Sequence, residues 1–135
     1  MSDEAEFYIA GIPKPQGSMR HVGHGRIIHS SPKLLPWRDH VMATIMAQQP
    51  DPFEGPVSVR LGIFLVAPKK PKHTLPISRS AGDIDKHART ILDALQLSGI
   101  IADDAQVCDL KVSKRYAEDI SGVTISIRSL NEPTP

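Results

Sequence analysis

One segment of this 135-residue chain, GDIDKHARTILDALQLSGIIADDAQVC (82–108), places a helical pattern between two pairs of aspartates. Its apolar residues recur at the three- and four-residue spacing of an amphipathic helix: Ala88, Ile91, Leu92 and Leu95. Asp83 or Asp85 can cap the start of this helix, and Gly99 can end it in the left-handed conformation. Any fold of this chain must therefore accommodate one helix with acidic side chains at both ends.

Three other segments alternate apolar and polar residues, which is the period of a strand with one buried face. They are VSVRLGIFLV (57–66), residues 108–112 and residues 123–127. A short polar stretch separates the last two, and we expect them to pair as a hairpin. Cys108 begins the first strand of that hairpin and is expected to be buried.

The N-terminal third predicts two short strands and a helix. FYIAGI (7–12) is an apolar run closed by prolines, and GRIIHS (25–30) is expected to pair with it as a second strand. From Pro36 onward, apolar residues recur every four positions, which predicts an amphipathic helix over 34–48. The order of these elements predicts an α+β domain, with two main helices packed on one face of a mixed β-sheet.

The length of the chain suits one domain over residues 1–135, because two independent units would each be too small to bury a core. Residues 67–82 hold three prolines and five basic groups but few apolar residues, so we expect a mobile loop there. The tail, residues 129–135, is expected to fray.

Composition predicts a cytoplasmic protein with no membrane partner. Apolar residues make up 40% of the chain, and no run approaches the roughly 20 apolar residues of a membrane span. The N-terminus MSDEAEFYIAG is acidic where a secretory signal is basic. The single cysteine can form no internal disulfide, which fits a reducing compartment.

The formal net charge is only +1, but the basic residues are unevenly distributed. They concentrate in the N-terminal third and in residues 67–82, beside the acidic segment. Such an arrangement predicts a polyanionic ligand that is met partly through a cation. The candidate DNA-contacting residues are Lys14, Arg20, Lys69, Lys70, Lys72, Arg79 and Lys86.

The four aspartates have the chemistry of a metal site. Asp83 and Asp85 are two residues apart, so in an extended segment both point to the same side. If the strand after Asp103 and Asp104 lies beside the start of the helix, three or four carboxylates converge on one point. A set of oxygen ligands favours a hard cation such as Mg²⁺, with Mn²⁺ as the alternative.

A divalent ion held in this way suits phosphodiester hydrolysis, because it can bridge a phosphate and stabilise the leaving oxygen. Arg89 follows Asp85 by one helical turn and can oppose charge that develops on the phosphoryl group. Each element also has an ordinary structural explanation. An aspartate at a helix start is most often a cap, and paired aspartates in a turn are most often solvated.

The same stretch resembles the signature of the RusA family of Holliday junction resolvases. The matching pieces, in order and without gaps, are D-I-D, a basic residue four positions later, L-D-A-L, S-G and D-D-A-Q-V. The resemblance implies a mixed α/β fold in which Asp83, Asp85 and Asp104 bind divalent metal ions, with Asp103 as an adjacent acid.

Two positions depart from that family pattern. Arg89 falls where the family has its catalytic lysine, and Lys86 falls where it has an asparagine. Arginine keeps the positive charge but is planar and cannot donate a proton near neutral pH. If the family lysine acts by charge alone, Arg89 suffices.

The resemblance implies a homodimer that nicks two opposed strands of a four-way DNA junction, a roughly two-fold symmetric substrate. Family members are often encoded by phages or prophages, so the bacterial cytoplasm is the expected location. Two alternatives remain open. One is a junction-binding module without catalysis, which the departures at Lys86 and Arg89 favour, and the other is a metal-dependent hydrolase of small phosphoesters.

Overall fold

The fold combines a four-stranded sheet, a separate pair of short strands and two helices. A computed structural model describes residues 3–16, 19–21, 27–29 and 34–130. The strands are β1 (Glu4–Ala10), β2 (Met19–His21), β3 (Ile27–His29), β4 (Val57–Leu65), β5 (Val107–Tyr116) and β6 (Gly122–Ser129). The helices are α1 (Leu34–Ala47) and α2 (Ile84–Ser98), with short 3₁₀ turns at Arg79–Ala81 and Asp104–Gln106. Neither helix of the described chain has the length and apolar character that crossing a bilayer requires.

The four-stranded sheet is mixed, with the strand order β1-β6-β4-β5. Strand β6 pairs antiparallel with β1 and β4, whereas β5 pairs parallel with β4. Strands β1, β4 and β5 therefore run in the same direction, and α2 lies in the crossover that the parallel pair requires. These three strands finish at the same end of the sheet, which we call the carboxyl end. They begin at the opposite end, which we call the amino end.

One face of the sheet packs against both helices and forms the core. Strand β4 buries every second side chain from Val57 to Leu65, as its alternation predicts. The helices contribute apolar stripes to this core: the predicted Trp37, Val41 and Ile45 from α1, and Ala88, Ile91, Ala94 and Leu95 from α2. The predicted Leu92 is only partly buried, and Ala94 is buried in addition to the prediction. Helix α2 ends at Gly99 in the left-handed conformation, with φ of 85°. The predicted α+β class, with two helices on one face of a mixed sheet, is confirmed.

The predicted hairpin between residues 108–112 and 123–127 is wrong, because β4 lies between β5 and β6 in the sheet. Burial explains the observed order. Strand β6 buries Val123, Ile125 and Ile127 almost completely, which suits a position between two other strands. Most side chains of β5 are exposed or half-buried, which suits an edge.

Cys108 is exposed, contrary to the prediction that it is buried. It lies at the start of the edge strand, where the register between β4 and β5 shifts. Val57 pairs with Val107 and Ser58 pairs with Asp109, so Cys108 has no partner in the register. At such an irregularity, alternation along the strand no longer determines which side chain is buried.

The N-terminal strands also pair differently from the prediction. Strand β1 begins at Glu4 and pairs with β6 along its whole length, not with the strand at residues 27–29. That strand, β3, pairs instead with β2 in a separate two-stranded sheet. The buried Phe7 and Ile9 of β1 extend the core face of the main sheet, which accounts for the choice of partner. Helix α1 agrees with the predicted range 34–48.

The segment between β4 and α2 is irregular apart from the 3₁₀ turn at its end, and most of its side chains are exposed. Its mobility stays a prediction. The predicted frayed tail lies largely outside the described residues, which end at residue 130. Leu130 itself still donates its backbone N–H to the carbonyl of Pro56 at 2.9 Å.

Candidate functional site

Asp83 and Asp85 lie at the carboxyl end of the sheet, where α2 begins. They line an open concavity of about 420 Å³ together with Ile84, Lys114 and residues 75–77 of the preceding loop. The carboxyl ends of parallel strands are where sheets of this kind commonly place ligands. The structure therefore brings the first predicted acidic pair to a surface that a phosphate group can reach.

The carboxylate of Asp83 is not used as a helix cap. Asp83 is the N-cap residue of α2 and has extended backbone angles, but its side chain makes no capping hydrogen bond. This side chain is 73% exposed and forms a long ion pair with Lys86, with 4.0 Å between Oδ2 and Nζ. The ordinary explanation of Asp83 as a cap therefore does not hold, and its oxygens are accessible to a ligand.

Lys114 is a candidate functional residue that the sequence reasoning missed. Its Nζ donates to the carbonyl oxygen of Gly82 at 2.8 Å, and the side chain is partly buried. Lys114 lines the same concavity as Asp83 and Asp85, where a positive charge lowers the electrostatic cost of bringing two carboxylates together. Arg89, the basic residue that was predicted, is exposed one turn further along α2.

A signal for Lys114 was present in the alternation of β5. Leu110, Val112 and Lys114 share one face of this strand, in register with Val59, Leu61 and Ile63 of β4. Those β4 residues are buried, so this is the face that carries the core. A lysine at the inward position of an otherwise apolar face indicates a partner for its charge.

The backbone that leads to Asp83 is held by His87 and by close packing. His87 is 1% exposed, and its Nε2 donates to the carbonyl of Ala81 at 2.7 Å. Burial lowers the pKa of the His87 imidazole below its usual 6.5, although the hydrogen bond to Ala81 opposes this shift. A Cβ atom at Gly82, where φ is 83°, would come within 2.6 Å of Pro15. The path of the chain into α2 is therefore closely determined.

Asp103 and Asp104 lie beyond the C-terminus of α2, and their carboxylates differ in their hydrogen bonds. Asp103 caps the 3₁₀ turn, since its Oδ1 accepts from the backbone N–H of Ala105 at 2.8 Å. The side chain of Gln106 completes a capping box by accepting from the backbone N–H of Asp103 at 3.3 Å. Asp104 is exposed, and its carboxylate has no hydrogen bond or ion pair among the residues that the structure describes. Asp104 is therefore the member of this pair with a free carboxylate.

The two acidic pairs are far apart in the chain's fold. The backbone N–H of Asp104 donates to Oε1 of Gln96 at 3.1 Å, which places Asp104 beside the C-terminal half of α2. Helix α2 has 15 residues, so its ends are about 22 Å apart at the α-helical rise of ~1.5 Å per residue. Strand β5 begins at the amino end, directly after the turn at Asp104–Gln106. The strand thus starts away from Asp83 and Asp85, and the condition for convergence is not met.

The described residues of the chain do not bring the four predicted aspartates together in one metal site. The described residues contain no group of three or more acidic, histidine or cysteine side chains that could hold a metal ion. Mg²⁺ can be held by one or two carboxylates with water and phosphate oxygens, so Asp83 and Asp85 have suitable donor chemistry for part of such a site. The remaining predicted ligands lie at the opposite end of α2.

Six of the seven predicted DNA-contacting residues lie in segments at the carboxyl end, near the first acidic pair. The loop over residues 67–82 leaves from the end of β4, and its basic side chains are exposed, namely Lys69, Lys70, Lys72 and Arg79. Lys14 follows β1 at the same end and lines a groove of about 320 Å³ with Tyr116. Lys86 lies in the first turn of α2. Arg20 lies in β2, and its side chain is outside the described part of the chain.

Comparison with known proteins identifies the family. Residues 9–128 match the family of the endodeoxyribonuclease RusA. This chain belongs to that family. It is 23% identical over 132 residues to the crossover junction endodeoxyribonuclease RusA of Aquifex aeolicus, covering 97% of this chain and 96% of the relative. It is also 28% identical over 142 residues to the uncharacterized protein YqaN of Bacillus subtilis, covering 96% and 99% of the two chains. Membership of the RusA family makes the protein an endodeoxyribonuclease and supports a role in DNA recombination.

Proposed function

We propose that this RusA-family nuclease is a Mg²⁺-dependent, structure-selective enzyme that resolves Holliday junctions, and other branched DNA, by paired symmetric nicks. One observation carries the proposal beyond the family match. An exposed acidic pair, Asp83 and Asp85, shares a concavity with Lys114 at the end of the sheet where the basic loop also emerges. The name of the Aquifex relative, a crossover junction endodeoxyribonuclease, supports a junction as substrate.

The metal ligands that we propose from the family signature are Asp83, Asp85 and Asp104, of which Asp83 and Asp85 lie together at the start of α2. RusA nucleases generally depend on a divalent metal, and carboxylate oxygens suit the hard ion Mg²⁺, with Mn²⁺ as a substitute. Such an ion, when bound, would activate water and stabilise the leaving oxygen of a phosphodiester. Asp103 lies next to Asp104 but already serves as a cap, which favours a structural role for it.

Basic residues have two proposed roles. Lys114 lines the acidic concavity and Arg89 follows Asp85 by one turn of α2, so both can supply positive charge that stabilises a phosphoryl group whose negative charge increases during cleavage. The residues that bind the DNA backbone are Lys14, Arg20, Lys69, Lys70, Lys72, Arg79 and Lys86. Contacts of this kind position DNA without reading its sequence. The exposure of the loop lysines supports their assignment.

The proposed assembly is a homodimer. A four-way junction is roughly two-fold symmetric, so two identical active sites related by a two-fold axis can cut two opposed strands. We propose that it acts in the cytoplasm of a bacterial cell, encoded by the host or by a phage. The exposed, unpaired Cys108 is compatible with a reducing compartment.

The decisive experiment is a cleavage assay on an end-labelled four-way junction, with Mg²⁺ and with a chelator in its place. We expect symmetric paired nicks only when the metal is present, and no cleavage of a linear duplex of the same sequence. Binding without nicks at any metal concentration would identify a non-catalytic junction-binding protein and refute the proposal.

Salt dependence separates a DNA substrate from a small phosphoester. Each phosphate that the protein neutralises on duplex DNA adds about 0.9 to the slope of log affinity against log salt concentration. A nuclease that grips DNA with its basic loop should therefore bind much more weakly as salt rises. A flat response, together with hydrolysis of a small phosphodiester, would favour the small-substrate alternative.

A further inference from the structure

We propose that the groove at the ends of β1, β4 and β5 binds one unpaired nucleobase of branched DNA, next to the phosphate that the acidic concavity receives. This inference rests on the proposed nuclease function and extends it from phosphate chemistry to base recognition. The groove has a volume of about 320 Å³, and residues 12–15, residues 65–68 and Tyr116 line it. This volume is at the lower end of the range for small-molecule sites, which suits a single base.

The groove and the acidic concavity lie side by side. Lys114 lines the concavity and Tyr116 lines the groove, and both are on the face of β5 that is in register with buried residues of β4. Two residues of a strand span about 7 Å. A Cβ atom at Gly82, which directly precedes Asp83, would come within 2.6 Å of Pro15 in the groove wall. A DNA strand whose phosphate lies at Asp83 therefore passes the groove within about one nucleotide.

The lining of the groove combines apolar surface with a few polar groups, which is the chemistry that a nucleobase requires. Three prolines, several aliphatic side chains and the ring of Tyr116 can pack against the faces of a base. The hydroxyls of Ser78 and Ser80 share one hydrogen bond of 3.0 Å. Only one of the two protons is used in that bond, so the other hydroxyl can still donate to the edge of a base.

The charge around the groove favours an anionic chain over a cation or a purely apolar ligand. Lys14 is half-buried in the lining, which contains no acidic side chain among the residues that the structure describes. Lys69 and Lys70 directly follow Pro68 of one wall and are exposed. A base enters together with its phosphate, and these basic groups attract that phosphate. The occupant that fits both lining and charge is a nucleotide.

A base can enter such a groove only after it leaves the stack of the duplex. The cost of unstacking is lowest for a base that is already unpaired, as bases are at a branch point. The groove would therefore favour branched DNA over a continuous duplex. Phosphate contacts by the loop lysines cannot supply this preference alone, because they position DNA without reading its bases.

Photocross-linking tests the position of the base without any cleavage. A set of four-way junctions carries 5-iodouracil at successive positions around the branch point, and each junction is irradiated with the protein in the presence of a chelator. We expect cross-links to Tyr116 or another residue of the lining at one or two positions, identified by mass spectrometry, and none in the groove with a linear duplex. Cross-links that fall only outside the groove would overturn the inference.

Removal of a base tests whether the groove contributes to cleavage. Once the cut is mapped, the nucleotide on each side of it is replaced in turn by an abasic one. We expect cleavage to slow by about tenfold or more at one of the two positions, the effect of losing one base stacked on an aromatic side chain. Equal rates on the intact and both abasic junctions would refute the base site.

A variant with a filled groove shows whether this effect arises there. Ala67 is exposed in the lining, so the fold should tolerate Ala67→Trp, whose indole occupies the groove. In this variant, removal of the base should no longer change the rate. Ile120→Trp is the matched control, since Ile120 is 63% exposed and lies outside the lining, and it should respond like the unmodified protein. The same response to base removal in Ala67→Trp as in the control would contradict the inference.

These experiments distinguish failure of the base site from failure of the proposed function. If the unmodified protein cleaves junctions but base removal has no effect and no cross-link maps to the groove, the function stands and the base site is wrong. If 5-iodouracil cross-links to the groove but no junction is cleaved with Mg²⁺, the base site stands and the proposed resolvase function is wrong.

Discussion

The two ends of α2 carry similar pairs of aspartates in very different surroundings. At its start, Asp83 is exposed and free of any capping bond, with Lys114 and the basic loop nearby. Beyond the C-terminus of the helix, Asp103 acts as a cap, and Asp104 lies on a turn that the side chain of Gln106 anchors. The comparison shows that adjacency in sequence does not make two aspartates equivalent, since the backbone that holds each one decides whether its oxygens are free.

The largest expected effect separates the neighbours Asp103 and Asp104. We predict that Asp104→Asn lowers the rate of junction cleavage by at least about a hundredfold, as removal of a metal ligand costs several kcal/mol of transition-state stabilisation. Asp103→Asn should cleave within a few-fold of the unmodified protein. Single-turnover rates on a labelled junction measure both, and junction binding by gel shift should be retained in each variant. Equal loss of activity in the two variants would remove the distinction between a cap and a ligand.

The next effect concerns Lys114, which lines the concavity at the start of α2. We predict that Lys114→Met lowers cleavage by about tenfold, equivalent to ~1.4 kcal/mol in the barrier, because the acidic pair then lacks its neighbouring charge. Lys111→Met is the matched control, since this residue lies on the same strand but its exposed side chain is on the opposite face. Recovery of most of the rate by Lys114→Arg would show that charge is what matters. Equal losses of cleavage rate in Lys114→Met and Lys111→Met would show that Lys114 acts only through the overall charge of the protein.

The basic loop should affect binding more than chemistry. Replacement of Lys69, Lys70 and Lys72 by alanine should weaken affinity for junctions of any sequence and make its dependence on salt shallower. The logarithmic slope should decrease by up to about 0.9 for each lysine that neutralises a phosphate in the unmodified protein. Fluorescence anisotropy at several salt concentrations provides the measurement. An unchanged slope would mean that the loop at the carboxyl end is only a connector.

A smaller effect on stability follows from the buried His87. Its pKa is lowered in the folded protein, so between that value and the unfolded value of 6.5 the unfolded chain binds more protons. The contribution of His87 to the free energy of unfolding should thus be fully present above pH 6.5. It should decrease as the pH drops below 6.5, by no more than about 1.4 kcal/mol per pH unit. Urea unfolding of metal-free protein at several pH values tests this. A His87→Gln variant with the same pH slope as the unmodified protein would contradict it.

The smallest effect compares the two aspartates that precede helical turns. Asp103→Ala should lower the free energy of unfolding by about 1 kcal/mol, the usual contribution of a capping side chain. Asp83→Ala should cost less, because Asp83 makes no capping hydrogen bond. Thermal unfolding of the two variants gives the difference directly. A larger destabilisation in Asp83→Ala would show that this residue stabilises α2 after all.

Local patterns in the sequence determined much of the secondary structure of this protein and the family to which it belongs. The four-residue and two-residue periods predicted α1, α2 and β4 close to their observed bounds, because these periods reflect which side of an element is buried. The acidic and basic residues identified a nuclease-like composition, and the signature around Asp83 and Asp104 identified the family to which residues 9–128 match.

Only the tertiary structure decided which strands pair and where the acids lie. A strand pattern is the same whichever neighbour it joins, so it could not show that β4 separates β5 from β6. Nor could it show that β5 begins at the amino end, which carries Asp104 away from Asp83. Lys114 was missed for the same reason, since its partner, the carbonyl of Gly82, is distant in sequence. Spacing along a chain constrains local geometry, whereas the convergence of side chains on one site depends on the direction of every strand between them.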